Sequence, residues 1–249
     1  MAVLKPVTDT APRILVIENE EGGRPGQLAS AAVDAGLTLD LRSVPRDDPV
    51  PDELGDAAGI AILGATYDVR DAPDRPHLYR EMDLIREAAS TGRPALGLCL
   101  GGQLAAEALG GSVERAPDGP EIGWVTVRPT ADGRADPIGV AVGEGTPLFQ
   151  WHHDVFTPPP DATPVLTAER SPHQCFRAGS VWGVQSHPEV DPELLREWVR
   201  SPGGAADLER FGVSADDLLA DAARYSGAAR RVLDAWCRVV AETSASVGR

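Results

Sequence analysis

The stretch Ala95-Leu96-Gly97-Leu98-Cys99-Leu100-Gly101-Gly102-Gln103 carries the fold expectation for the 249-residue chain. Pro94 to Leu98 reads as a short buried strand, and Gly101 to Leu109, closed by Gly110-Gly111, reads as a helix. Cys99 falls on the turn between them, with a glycine two residues away on either side. A strand-to-helix turn this tight crowds the backbone, so side chains at 97 and 101 would collide with neighbouring chain. The pattern is that of a nucleophile elbow, with sulfur where hydrolases often carry serine. Such a turn puts the sulfur at the carboxyl end of a strand, where doubly wound sheets bind ligands. It also aims the N-terminus of the next helix at the sulfur, an arrangement that favours negative charge.

Outward from the elbow, strands and helices alternate. Arg13 to Glu18 (RILVIE), Leu37 to Val44 and Ala58 to Leu63 (AGIAIL) read as strands; Gln27 to Ala35 and Tyr79 to Thr91 read as helices, each stopped by a glycine. Gly22-Gly23-Arg24-Pro25-Gly26 lacks dinucleotide-binding spacing and the lysine of a phosphate loop, so it is a turn. This alternation predicts an α/β fold: a doubly wound, mostly parallel sheet with helices on both faces. From Ser112 to Gln185 the texture changes. Short runs at Trp124 to Arg128, Val165 to Ala168 and Val181 to Gln185, separated by Pro and Gly, predict antiparallel or mixed strands at one side of the sheet. Pro192 to Val199 reads as a helix, and Ser214 to Tyr225 and Ala228 to Glu242 as two Ala-rich terminal helices. The expected organisation is a tail over 1–12, one domain over 13–200, and a helical extension over 201–249 packed on the same domain.

Lys plus Arg number 23 against 38 Asp plus Glu, a formal net charge of −15. A surface that acidic repels phosphate backbones and anionic lipid, which argues against nucleic acid and membranes as partners. No apolar run reaches the ~18 residues of a bilayer span. Met1 to Pro12 lacks the basic start and apolar stretch of a signal peptide. The cysteines, Cys99, Cys175 and Cys237, are odd in number and widely spaced, which points away from a disulfide framework and toward a reducing, cytoplasmic compartment.

A thiol elbow needs a base. Val184-Gln185-Ser186-His187-Pro188-Glu189 follows the last apolar strand and sets His187 at a strand end. Glu189 stands two residues on, beyond a proline that stiffens the turn. A carboxylate there can accept a hydrogen bond from one imidazole nitrogen, fixing the tautomer and leaving the other nitrogen for the sulfur. The order Cys, His, Glu differs from the nucleophile, acid, His order of α/β-hydrolases. Cys175 and Cys237 have no comparable context and read as structural. His152 and Asp154 would share one face of a strand, but nothing nearby supplies the three or four ligands of a zinc site, so no metal is expected.

GLCLGGQ (97–103) together with QSHPE (185–189) resembles the class I, triad-type glutamine amidotransferase domain, over about residues 13 to 200. Within that family the chain is similar to stand-alone proteins related to the amidotransferase domain of GMP synthase. Further matches are Pro120-Glu121-Ile122-Gly123-Trp124, Phe149 to Asp154, and Gln174-Cys175-Phe176-Arg177. The resemblance implies a flavodoxin-like fold without a cofactor. It implies Cys99 as nucleophile, His187 as general base and acid, Glu189 as orienter, and backbone N–H groups of Ala65 and Leu100 as the oxyanion hole. Gly64, Gln103, His152 and Asp154 are the implied substrate contacts. The family usually has Gly-Gly after the third strand where this chain has Gly64-Ala65, and Gly102 stands where many members have His. The expected activity is that of a glutaminase, with a γ-glutamyl thioester on Cys99 and ammonia passed to a separate acceptor synthetase. One alternative is a γ-glutamyl peptidase or hydrolase that cleaves conjugates without an acceptor, which a pocket open beyond the scissile carbonyl favours. The other is a non-catalytic binding or regulatory subunit, against which the intact Cys, His and Glu set counts.

Overall fold

The computed structural model describes residues 11–247, so the expected tail falls almost entirely outside the described residues. Strands β1 (Arg13–Glu18), β2 (Thr38–Ser43), β3 (Gly59–Ile62), β4 (Ala95–Leu98) and β11 (Val181–Val184) form the parallel part of one sheet, in the order β2-β1-β3-β4-β11. Beyond β11 the sheet continues antiparallel through β10 (Cys175–Ala178), β9 (Thr163–Thr167), β6 (Glu121–Pro129) and β7 (Thr146–His152). The Val181 to Gln185 run is therefore the strand at which the sheet changes sense. A separate antiparallel pair joins β5 (Ser112–Arg115) to β8 (Asp154–Thr157).

Alternation along the strands sends side chains to two faces. Ile14 and Val16 of β1, with Leu96 and Leu98 of β4, join a core under α1 (Gln27–Asp34), α4 (Pro137–Val142) and α7 (Ala215–Val247). Leu15, Ile17, Ile60 and Ile62 join a second core under α2 (His77–Thr91) and α3 (Leu100–Ala108). The chain leaves β1 toward β2 on one side and returns to β3 on the other, which opens a crevice at the carboxyl ends of these strands.

Three segments differ from expectation. The β5–β8 pair and α4 lie in the stretch where the sequence pattern is weak. α6 (Pro202–Phe211) follows α5 (Pro192–Arg200) with only Ser201 between them, and the Ser201 side chain accepts a hydrogen bond from Gly204 N–H at its start. The two expected terminal helices over 214–225 and 228–242 are one helix of 33 residues, α7. Ser226 and Gly227 were the expected break, but neither lacks a backbone donor as proline does. A mid-helix glycine costs about 1 kcal/mol relative to alanine. That cost is offset because α7 buries one stripe in two places: Leu218 and Ala222 under the Phe149 cluster, and Ala229, Leu233, Trp236 and Val240 in the core on α1.

Gly227 is exposed, and a Cβ added there meets nothing within 4 Å. Gly227→Ala should therefore raise stability by about 1 kcal/mol. Chemical denaturation should show a higher midpoint with an unchanged slope.

Candidate active site

The elbow is built from close backbone approaches. Cys99 has φ 50° and ψ −107°, a left-handed conformation that a side chain adopts only under constraint. Its N–H donates to Val184 O at 2.8 Å, and its carbonyl accepts from Gln103 N–H at 2.9 Å. A Cβ on Gly97 would lie 2.1 Å from Gly101 O, and one on Gly101 would lie 2.1 Å from Ile62 O. Gly102 is under the same constraint, with a Cβ falling 2.7 Å from Val184 O. The sequence pattern singles out 97 and 101; the demand on 102 comes from α3 lying against β11.

His187, two residues past the residue that follows β11, is buried, and its N–H donates to Phe149 O at 2.7 Å. Its Nδ1 lies 2.7 Å from Glu189 Oε1, leaving Nε2 for the Cys99 side chain. Burial works against a charge on His187. The Glu189 carboxylate and the Cys99 sulfur, by charge and by hydrogen bond, overcome it and hold the imidazolium well above the ordinary histidine range. Cys99, His187 and Glu189 thus lie in one line of contacts, an arrangement that can hold a thiolate–imidazolium pair.

Gly64 sits at the junction. A Cβ there would come 2.9 Å from His187 Cε1 and 3.3 Å from Cys99 Cβ. Ala65 lines the cavity beside it, and Leu100 opens α3 with an N–H that has no intrahelical acceptor. The segment after β3 is tied to the end of β1 through Asn19, whose side chain donates to Leu63 O at 3.3 Å and Glu81 Oε2 at 3.0 Å. Burial pushes the Glu81 carboxyl up to about 8. The Tyr67 hydroxyl completes the tie by donating to Asn19 O at 2.8 Å.

The remaining expected contacts also line the cavity. Gln103 Nε2 donates to Asp154 O at 3.2 Å. His152 and Asp154 do not share a strand face: β7 ends at His152, His153 makes the corner, and β8 starts at Asp154. His152 is bound between Asp154 O at 3.0 Å and Glu121 Oε2 at 3.2 Å, and the Asp154 carboxylate is held by Arg70 at 2.6 Å and Arg115 at 3.3 Å. Cys175 and Cys237 are buried away from these groups, and burial pushes both thiols up, Cys237 to about 12. Among the described residues, no group of three or more His, Cys, Asp or Glu side chains is arranged to hold a metal ion.

Two parts of the site have no local signal in the sequence. Gln27, at the start of α1, donates through Nε2 to Pro188 O at 3.1 Å, Val190 O at 3.2 Å and Ser226 O at 3.0 Å. Its backbone N–H donates to Glu189 O at 2.9 Å, so one residue clamps the loop carrying His187 and Glu189. The second part is α6, whose Asp207 accepts from Trp151 Nε1 at 3.1 Å and faces His153 Nε2 at 2.8 Å. Residues 201–207 thereby border a cavity of about 840 Å³ that reaches Cys99, His187 and Gln103.

A mostly parallel α/β core with a cysteine elbow and an adjacent His–Glu pair defines a class of protein whose site lies at the carboxyl ends of the strands. The family model for class-I glutamine amidotransferases matches residues 26–199, and the chain belongs to that family. It is 27% identical over 187 residues to the glutamine amidotransferase-like protein YfeJ of Salmonella typhimurium, covering 74% of this chain and 78% of that one. It is 32% identical over 160 residues to the γ-glutamyl-L-1-hydroxyisopropylamide hydrolase of a Pseudomonas species, covering 59% of this chain and 54% of that one. Against GMP synthase of Aeropyrum pernix the identity is 29% over 236 residues, 89% of this chain but 42% of that one. A glutamine amidotransferase from Thermotoga maritima superposes with a TM-score of 0.84 at 28% identity, over 93% of this chain and 99% of that one.

Gly64→Ala should cut kcat/KM about a hundredfold for any turnover that depends on the Cys99–His187 contact, because displacing the imidazole from the sulfur by a fraction of an ångström misaligns a proton transfer between them. Steady-state kinetics on folded protein test this; a rate within a factor of three of the parent would remove Gly64 from the spacing role.

Proposed function

We propose that the chain hydrolyses the γ-amide bond of γ-glutamyl compounds, with conjugates larger than glutamine as its substrates. The observation that carries this reading is the cavity of about 840 Å³, which continues past His187 to Trp198 and α6 and which glutamine alone would leave mostly empty. The Cys99 thiolate attacks the γ-carbonyl carbon, and the oxyanion forms against the N–H groups of Ala65 and Leu100. The carbon–nitrogen bond breaks as His187 Nε2 gives its proton to the departing nitrogen. Water then adds to the γ-glutamyl thioester while His187 takes one of its protons. The carbon–sulfur bond breaks, releasing glutamate and restoring the thiolate. Glu189 holds the imidazole in the required tautomer. Gly64, Gln103, His152 and Asp154 border the glutamyl moiety.

In this reading residues 13–200 form the catalytic domain and 201–249 an extension whose described residues, 201–247, are mostly helical, pack on it and border its cavity. Three free, buried cysteines suit a reducing cytoplasm. The similarity to GMP synthase favours a second reading, in which glutamine is the substrate and a separate synthetase accepts the ammonia. Rates on glutamine and on a γ-glutamyl dipeptide, with the protein alone, separate the two. High activity on the dipeptide supports hydrolysis of conjugates, and activity on glutamine that appears only with a synthetase supports the second.

Cys99→Ser should lower kcat at least a thousandfold in a folded protein, since a hydroxyl here is a far weaker nucleophile at neutral pH. A glutamine-analogue electrophile should label Cys99 and spare Cys175 and Cys237; labelling elsewhere would sink the assignment.

The pH profile tests the His187–Glu189 pair. A raised value keeps His187 protonated through pH 6.5, and the proton is lost only as pH climbs through the raised value. The alkaline limb of kcat/KM should accordingly lie well above 6.5. In Glu189→Gln the carboxylate no longer opposes burial, so the limb should move down in pH. An unmoved limb would show that Glu189 does not set the state of the imidazole.

A further inference from the structure

The two ends of the cavity differ in chemistry. Gln103, His152 and Asp154 mark one end, where the Asp154 carboxylate is matched by Arg70 and Arg115. The other end lies past His187. Trp198 stands edge-on to the imidazole with ring centroids 5.0 Å apart, and its Nε1 donates to Gly22 O at 2.8 Å. The turn after β1, with Glu20 and Glu21, is thereby the wall beyond the base. A departing nitrogen that takes its proton from His187 must lie on this side.

The charges on that wall are unbalanced. Glu20 accepts only a neutral donor, the Thr66 hydroxyl at 2.6 Å, and Glu21 has no ion-pair partner among the described residues. Glu197 is matched by Arg24 at 2.7 Å. Arg115, at the opposite end, is the single Lys or Arg side chain that lines the cavity among the described residues. A second, independent feature lies deeper. The Glu189 side chain is 3% exposed and lines the same cavity; its Oε1 is bound to His187, while its Oε2 has no hydrogen-bond donor among the described residues. Glu20 and Glu21, without ion-pair partners among the described residues and lining the cavity beside the Trp198 indole, attract an ammonium group and repel a carboxylate.

We propose that the leaving half of the substrate is a cationic amine, so that the enzyme hydrolyses γ-glutamyl conjugates of diamines or polyamines. This rests on the hydrolytic reading above. The turn after β1 lies two strands from the elbow on β4, roughly 10 Å at ~4.8 Å per strand. That matches the reach of an extended four-carbon diamine from the scissile carbonyl to a carboxylate. The bond between the γ-carbonyl carbon and nitrogen breaks as that carbon is held on the Cys99 sulfur, the diamine nitrogen receives the proton of His187, and the remote ammonium stays against Glu20, Glu21 and Trp198 throughout. No charge is created or lost at the remote end, so the wall acts on binding and orientation.

Three γ-glutamyl amides of matched length test this: those of 1,4-diaminobutane, pentylamine and 5-aminopentanoate, which end in ammonium, methyl and carboxylate groups. At low salt, kcat/KM for the ammonium compound should exceed that for the methyl compound about tenfold, with the carboxylate compound lowest. The tenfold advantage should shrink as salt rises. In Glu20→Gln/Glu21→Gln the ratio of ammonium to methyl compound should fall to near one, the methyl compound reporting how much active enzyme each preparation holds. Equal rates on all three, or a preference for the carboxylate, would overturn the cationic leaving group and leave hydrolysis standing. A ratio unmoved in the double variant would overturn the assignment of the wall. Hydrolysis of none of the three would overturn the hydrolytic reading itself, and this inference with it.

Discussion

At the carboxyl ends of β3, β4 and β11, three stretches of backbone and the first turn of α3 meet with no room for a side chain between them. Gly97 faces Gly101, Gly101 faces Ile62, and Gly102 faces Val184, each with a carbonyl oxygen inside the volume a Cβ would occupy. This close approach forces the chain through a left-handed conformation at Cys99, a strain on the order of 1–3 kcal/mol that the flanking hydrogen bonds and two packed cores hold in place. The outcome is directional. The sulfur lines the cavity, 3.9 Å from Trp151 O, and α3 begins at the next residue with its first N–H groups free of intrahelical acceptors.

The partner of the elbow is positioned by contacts distant in sequence. His187 and Glu189 leave β11 on a short loop, and Gln27 Nε2 lies within hydrogen-bond distance of three carbonyls, two of them on that loop or at its end. One of those belongs to Ser226 in α7, so the terminal helix is linked to the loop through a single amide side chain. Gly26 allows this approach, because any side chain there would overlap Glu189 O, 2.2 Å from the Cβ position. The long helix therefore does two things: it covers the sheet face over α1, and it anchors the clamp on the His–Glu loop.

Electrostatics divides the cavity. Where cations are present they are matched to buried carboxylates, as Arg70 and Arg115 are to Asp154. Past His187 the carboxylates outnumber them. In a chain of net charge −15 an acidic patch on open surface carries little meaning, but here it borders the cavity that holds the sulfur and the imidazole. α6 closes part of that border through Asp207, making the extension a wall of the cavity rather than an appendage.

The parallel half of the sheet, the elbow at Cys99 and the His187–Glu189 pair were legible in the sequence, because each depends on local chemistry. Apolar runs of strand length, glycines at fixed offsets, and a proline-stiffened turn specify their own geometry within a few residues. The same local logic misplaced a break at Ser226-Gly227, where burial of Ala229, Leu233 and Trp236 outweighs one glycine's helix penalty. A shared strand face for His152 and Asp154 was the condition weighed for a metal site, and it is not met, because β7 and β8 belong to different sheets and meet at a corner. Gln27 and Asp207 carried no signal of their roles, and Gly102, although part of the elbow motif, carried none of its packing against β11. Their roles consist of contacts with residues 161, 82 and 56 positions away, and only the folded chain brings such partners within hydrogen-bonding or van der Waals distance.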